Sequence, residues 1–254
     1  MKYFAVSDCH GFFNELMTAL DTAGFDINNP EHTLVVCGDL FDRGSQPREI
    51  FDFVKSLPKE RFIYIRGNHE DLLMDCLSEI YKGYNPSNHH YHNKTVQTIF
   101  DFCGVTRQDF WEKRGETILA IKKNITPLID FINERSINYY ETGTHVFVHG
   151  WIPCEIVGGR TYGDYSRNDN WRDANEMQWR EARWINGMYC AKYWGIVEPN
   201  KTIVCGHWNA GWGHYMYDDE SNEDNNAPFY SDGIIAIDAC TALSKIVNCI
   251  VIEE

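Results

Sequence analysis

Apolar positions in this chain fall into short runs that stop abruptly at polar residues. Tyr3–Val6 ends at Ser7-Asp8, Leu34–Cys37 at Gly38-Asp39, and Phe62–Ile65 at Arg66-Gly67-Asn68-His69. Short apolar runs bounded in this way predict buried strands. Between them, Phe12, Leu16, Ala19, Leu20 and Ala23 recur at helical spacing. Ile50, Phe51, Val54 and Leu57 mark a second helix with Pro47 near its start, and Leu72, Leu73, Cys76 and Leu77 a third. In open α/β sheets the carboxyl ends of the strands share an edge where ligands bind, so the three polar clusters are expected to converge.

The stretch from about residue 84 to residue 141 reads differently. It is polar, with helices expected around Thr95–Phe102, Phe110–Lys123 and Pro127–Glu134, and it is expected to form a helical insertion over the core. A second strand-rich half follows. Val146–Val148 ends at His149-Gly150 and Ile203–Cys205 at Gly206-His207, with a helix over Asn175–Trp184 between them. Gly233–Asp238 and Lys245–Ile252 are expected to close the fold as an antiparallel pair. Without an internal repeat or a Pro/Ser-rich linker, residues 1–254 are expected to form one domain carrying the insertion.

Composition narrows the function classes. With 254 residues, 43% of them hydrophobic, a sizeable core is expected and wholesale disorder is not. A net charge of −14 opposes non-specific binding to nucleic acid or to an anionic membrane. It does not exclude a small phosphate-bearing substrate, because bound cations can invert the local field. Nine cysteines form no C-x-x-C pair; Cys37, Cys205 and Cys249 lie in apolar runs and read as small buried hydrophobes of a reducing compartment. The start of the chain does not read as a signal peptide, and no apolar stretch approaches a membrane span. A soluble, cytoplasmic protein is expected.

The strand ends carry the chemistry. Asp8 and His10 flank one residue, Asp39 follows the next strand, Asn68 offers an amide oxygen, and His149 and His207 offer imidazole nitrogens. Mixed carboxylate, imidazole and amide donors suit Mn, Fe, Zn, Co or Ni better than calcium. Six donors exceed the need of one tetrahedral ion and match a pair of cations, with Asp39 able to bridge them. Arg43 and Arg66 follow the same strand ends, and a guanidinium fork grips two phosphate oxygens at once. His69, next to a proposed ligand, suits a general acid, with Asp42 able to hold its other nitrogen.

Asp8-Cys9-His10-Gly11, Gly38-Asp39-Leu40-Phe41-Asp42-Arg43-Gly44 and Arg66-Gly67-Asn68-His69-Glu70 resemble the three signature blocks of the phosphoprotein phosphatase family of calcineurin-like metallophosphoesterases. His149-Gly150 and Gly206-His207 resemble its two later histidine blocks, and the terminal strands resemble those of phage and bacterial members of the lambda-phosphatase type. The resemblance implies an α/β fold of four layers, α/β/β/α, with a β-sandwich at its centre. It implies two divalent ions, manganese foremost, one on Asp8, His10 and Asp39 and the other on Asp39, Asn68, His149 and His207. Direct attack on phosphorus by a hydroxide bridging the metals, without a phosphoenzyme, is implied as well. So are leaving-group protonation by His69 paired to Asp42, and phosphate binding by Arg43 and Arg66. The family's further phosphate-binding arginine has two candidates here, Arg180 and Arg183.

The substrates that follow are phosphoserine or phosphothreonine in proteins, or alternatively dinucleoside tetraphosphates such as diadenosine tetraphosphate. A scaffold kept only for binding is disfavoured because His69, Asp39 and every ligand are present. Trp151 and Trp208, directly after ligand blocks, are expected near the leaving group. His89, His90 and His92 are expected to form a solvated loop rather than a second metal site, and the acidic run 218–224 a solvated face.

Overall fold

The computed structural model describes residues 1–157, 164–218 and 225–254. Most of the acidic run 218–224 therefore lies outside the described residues.

Twelve strands are found among the described residues: β1 (Lys2–Val6), β2 (His32–Cys37), β3 (Phe62–Ile65), β4 (Ser136–Ile137), β5 (Tyr140–Glu141), β6 (His145–Phe147), β7 (Cys154–Ile156), β8 (Tyr165–Arg167), β9 (Thr202–Cys205), β10 (Phe229–Ser231), β11 (Ile234–Ala236) and β12 (Cys249–Glu253). They build one five-stranded sheet in the order β12-β1-β2-β3-β4, a second in the order β10-β11-β9-β6-β5, and a β7-β8 hairpin. In the first sheet β1 to β4 run parallel; in the second β6, β9 and β11 do. Parallel strands put their carboxyl ends on one edge, which is where every proposed ligand lies.

The two sheets pack face to face. Ala5, Val35, Cys37 and Ile65 of the first meet Phe147, Val204 and Ile237 of the second in one buried cluster. Burying each large aliphatic chain contributes roughly 1.5–3 kcal/mol. The opposite face of the first sheet is covered by α1 (Phe13–Ala23), α2 (Pro47–Ser56), α3 (Asn68–Tyr81) and the helices that follow: α4 (Asn88–His92), α5 (Thr95–Cys103), α6 (Arg107–Glu112) and α7 (Arg114–Arg135). The second sheet is covered by α8 (Glu176–Ala182), α9 (Gly187–Tyr193) and α10 (Ala210–Tyr217); a short α11 (Thr241–Ser244) precedes β12. The result is the expected α/β/β/α sandwich.

Three local expectations are corrected. The two terminal strands do not pair with each other. β11 lies parallel to β9 in the second sheet, whereas β12 crosses to the first sheet and pairs antiparallel with β1, Tyr3 opposite Ile252. Alternation identifies a strand without naming its partner. Pro127 does not break a helix either: α7 runs through it. Ile121, Ile125, Leu128 and Ile132 form one buried stripe on both sides of the proline, so packing offsets the lost hydrogen bond. Finally, His90 is not solvated but buried on α4, 3.5 Å from Glu79.

Candidate metal centre and general acid

The site grows out of sharp backbone turns at strand ends. Asp8, His10, Asp39 and His207 all have positive φ, between 48° and 66°, as does Arg43 at 72°. This conformation is costly for residues with a Cβ and persists only where surrounding bonds impose it. Here they do. The His10 N–H donates to the Asp39 carbonyl at 2.9 Å, and the Gly44 N–H to the His10 carbonyl at 2.7 Å. Two glycines leave room for the carboxylates. A Cβ on Gly67 would lie 2.1 Å from Asp39 Oδ1, and one on Gly206 would lie 2.3 Å from Asp8 Oδ2.

Asp39 is the common member of two donor groups. Its carboxylate, His10 and His69 present donors within 4.8 Å of one another; so do its carboxylate, His149 and His207. Asp39 Oδ2 is 3.9 Å from His10 Nε2, and Oδ1 is 3.4 Å from His149 Nε2. Asp8 Oδ1 is 3.8 Å from His10 Nε2, and Asn68 Oδ1 is 2.7 Å from His149 Nε2. All six proposed ligands are thus brought together, and the histidine rings of His149 and His207 lie 5.1 Å apart.

The electrostatics fit cations. Burial pushes the Asp8 carboxyl up to about 7 and Asp39 well above its ordinary range, each carboxylate also opposing the other or Glu70. Burial lowers His10 and His207 and brings His149 down to about 4, so these imidazoles are neutral and free to donate lone pairs. His149 Nδ1 donates to the Cys37 carbonyl at 2.8 Å, which turns Nε2 toward the cluster. Closely spaced carboxylates that burial penalises, beside neutral imidazoles, are a donor set that divalent ions would satisfy.

Beside this cluster lies the candidate acid. His69 Nδ1 is 2.8 Å from Asp42 Oδ2, and Nε2 is 3.1 Å from the Arg43 guanidinium. Arginine only donates, so Nε2 accepts and the ring proton is on Nδ1, donated to Asp42. Asp42 does not cap α2, whose N-cap is Gln46.

The remaining arginines are engaged elsewhere. Arg66 Nε and Arg183 both donate to the Asp71 carboxylate, each at 2.8 Å; Arg183, buried, also reaches Glu176 and Asn138. Arg180, on the surface, pairs with Asp75. Arg43 is the arginine brought to His69.

The tryptophan expectation divides. Trp151 is buried against Gly187 of α9, with its backbone N–H donated to the Ala182 carbonyl at 3.0 Å. Trp208 is exposed, its ring 6.4 Å from that of His207. Trp184 approaches more closely, with its ring edge-on to His207 at 5.6 Å. It lines a cavity of about 370 Å³ together with Tyr165, Ile156, Met177 and Ile185. Strand-end reading does not point to Trp184, nor to Glu70. The Glu70 carboxylate accepts the N–H groups of Asp39, Leu40 and Gly67 at 2.8–3.1 Å, fixing the turns that carry Asp39 and Asn68. Glu70 stands at the third position of α3 and reaches back to the N–H of Gly67 before the helix; because glycine supplies no answering side chain, only a glutamate in the first turn marks it in the sequence.

A β-sandwich with this rim of oxygen and imidazole donors is a scaffold on which divalent ions would be held at the strand ends. Residues 1–230 match the calcineurin-like phosphoesterase family, and the chain belongs to it. Over 76 residues it is 37% identical to an asymmetrical bis(5'-nucleosyl)-tetraphosphatase PrpE of Bacillus velezensis, covering 27% of this chain and 30% of the relative. Over 138 residues it is 27% identical to the serine/threonine-protein phosphatase PP1-delta of Caenorhabditis elegans, covering 50% of this chain and 40% of that protein. The chain thus spans well under half the length of these relatives. The crystal structure of a cold-active protein-tyrosine phosphatase from a psychrophilic Shewanella aligns over 100% of this chain and 75% of its own, with TM-score 0.53 and 15% identity, a likeness of fold alone.

Proposed function

We propose that this chain hydrolyses phosphomonoesters, with phosphoserine and phosphothreonine in proteins as its substrates. The observation that carries this reading is the Asp42–His69–Arg43 array beside Asp39. Asp8, His10 and Asp39 would hold one divalent ion, manganese foremost, and Asp39, Asn68, His149 and His207 the other. When bound, such a pair polarises the phosphoryl oxygens and activates water for in-line attack. The chain's own residues do the rest. Arg43 grips the phosphate, and in doing so leaves His69 Nε2 open to carry a proton. His69 then gives that proton to the leaving oxygen while Asp42 stabilises the imidazolium, a role worth roughly 10²–10⁴ in rate. Arg66 and Arg183 act through Asp71, as a brace behind α3, or reach phosphate after exchanging that partner.

A second reading, hydrolysis of dinucleoside tetraphosphates, is favoured by the cavity beside His207. Tyr165 and Trp184 offer flat apolar surface suited to a base. Initial rates on a phosphothreonine peptide, p-nitrophenyl phosphate and diadenosine tetraphosphate, measured in parallel after metal reconstitution, test both. Faster cleavage of the peptide supports the first reading. Cleavage of the dinucleotide faster by orders of magnitude replaces it with the second.

A further inference from the structure

We propose that Thr95 is a positioning residue for the leaving-group proton, acting through Asp42. This rests on His69 as the acid of the reaction. Thr95 opens α5, in the helical segment that carries no metal-binding block of its own, and is fully buried. Its Oγ1 lies 2.7 Å from Asp42 Oδ2, across 53 positions of sequence. That same oxygen accepts the His69 Nδ1 proton at 2.8 Å. A carboxylate only accepts, so the threonine hydroxyl donates. Two donors on one buried oxygen fix the rotamer of Asp42, and Asp42 in turn fixes the ring of His69.

The delivery of this hydroxyl is built in. Lys94, at φ 59°, turns the chain immediately before the helix. Val96, Ile99, Phe100 and Phe102 then bury the helix against the core of the first sheet. Arg48 of α2 packs over the Phe102 ring at 4.0 Å and donates to the Phe102 carbonyl. Asp42 therefore receives one donor from α3 and one from α5. The helical segment over residues 88–135 does more than cover the sheet, because it supplies the third member of a Thr95–Asp42–His69 relay.

General-acid assistance matters most for poor leaving groups, and this gives the test. Thr95→Val removes the hydroxyl at nearly constant volume; Thr95→Ala does so where the valine variant does not fold. Metal-loaded protein is assayed on an alkyl phosphate and on p-nitrophenyl phosphate, with His69→Asn alongside. Loss of a partner behind a working residue commonly costs 10–100-fold. The expected result is a kcat roughly 10-fold lower on the alkyl ester, a change under about two-fold on the aryl ester, an unchanged KM, and recovery in Thr95→Ser. The downfield Nδ1 proton resonance of His69 in the zinc-loaded protein should shift in Thr95→Val and return in Thr95→Ser. Equal losses on both esters with an unmoved resonance would assign Thr95 to packing alone. If His69→Asn itself shows no preference for the poorer leaving group, the acid role of His69 fails and the relay with it.

Discussion

The carboxylate of Asp8 accepts the backbone N–H of His207 at 2.9 Å, joining residues 199 positions apart. One lies at the end of β1 and the other at the end of β9, so this bond ties the rim of one sheet to the rim of the other. A second tie runs beside it, from His149 after β6 to the Cys37 carbonyl at the end of β2. Donors from two sheets can share one centre only if the sheets are locked in register at this edge, and these bonds provide the lock.

Asp39 stands where the two donor groups meet, so its replacement should affect both ions. Asp39→Asn keeps the shape and still accepts the His69 N–H, bonded at 2.9 Å in the parent. It removes the charge shared between His10 on one side and His149 on the other. Metal content measured by elemental analysis after gel filtration should fall for both ions together. One ion bound at full strength in the variant would contradict the bridge.

The acid should be separable from the metals. His69→Asn leaves the ligands in place and removes the group held by Asp42 and Arg43. Metal content should be unchanged, while kcat on a phosphothreonine peptide falls about 10²–10⁴-fold with little change in KM. Full activity in a variant with both metals would remove His69 from the chemistry.

Much of this centre was legible before any fold was drawn, and for a physical reason. A candidate ligand at a strand end comes just after an apolar run, as Asp39 comes one residue after Leu34–Cys37, so the boundary itself marks it. Partners brought in by packing leave no such mark. Nothing local to Thr95 says that its hydroxyl meets Asp42, and nothing local to Asp71 says that it engages Arg66 and Arg183 together. The crossing of β12 to pair with β1 was likewise invisible, since the alternation of Cys249–Glu253 suits either sheet. Pro127 misled because helix propensity is local, while the buried stripe that holds α7 together is not.

Glu70 should be the residue on which the metal-free rim depends most. Its carboxylate is buried and accepts three backbone N–H groups from two turns. Glu70→Ala would leave those donors unmatched, at ~1–3 kcal/mol each and less than additively. A loss of about 3–5 kcal/mol in urea denaturation of the metal-free protein is expected. Glu70→Gln, which keeps an acceptor oxygen, should lose less. A loss under about 1 kcal/mol in the alanine variant would show that water replaces the carboxylate at no cost.

Metal affinity should carry the proton bookkeeping of Asp8. In the metal-free protein burial pushes this carboxyl up to about 7, so below that pH a cation must displace its proton. His149, brought down to about 4, is already neutral and adds no slope above that value. Affinity at the Asp8 site should therefore weaken by at least about ten-fold per unit as pH falls below about 7, with Asp39, which burial also pushes well above its ordinary range, adding to the slope. The same shifts act on metal-free stability with opposite signs. Folded Asp8 holds its proton between 3.8 and about 7 where the unfolded chain has lost it, so its contribution declines as pH rises through that window. His149 binds its proton more weakly folded than unfolded between about 4 and 6.5, so its contribution rises there. Calorimetric titration with manganese, repeated in buffers of different ionisation enthalpy, reads both the slope and the proton released. An affinity that does not change between about pH 6 and pH 8, with no proton released, would mean that Asp8 is ionised before the metal arrives.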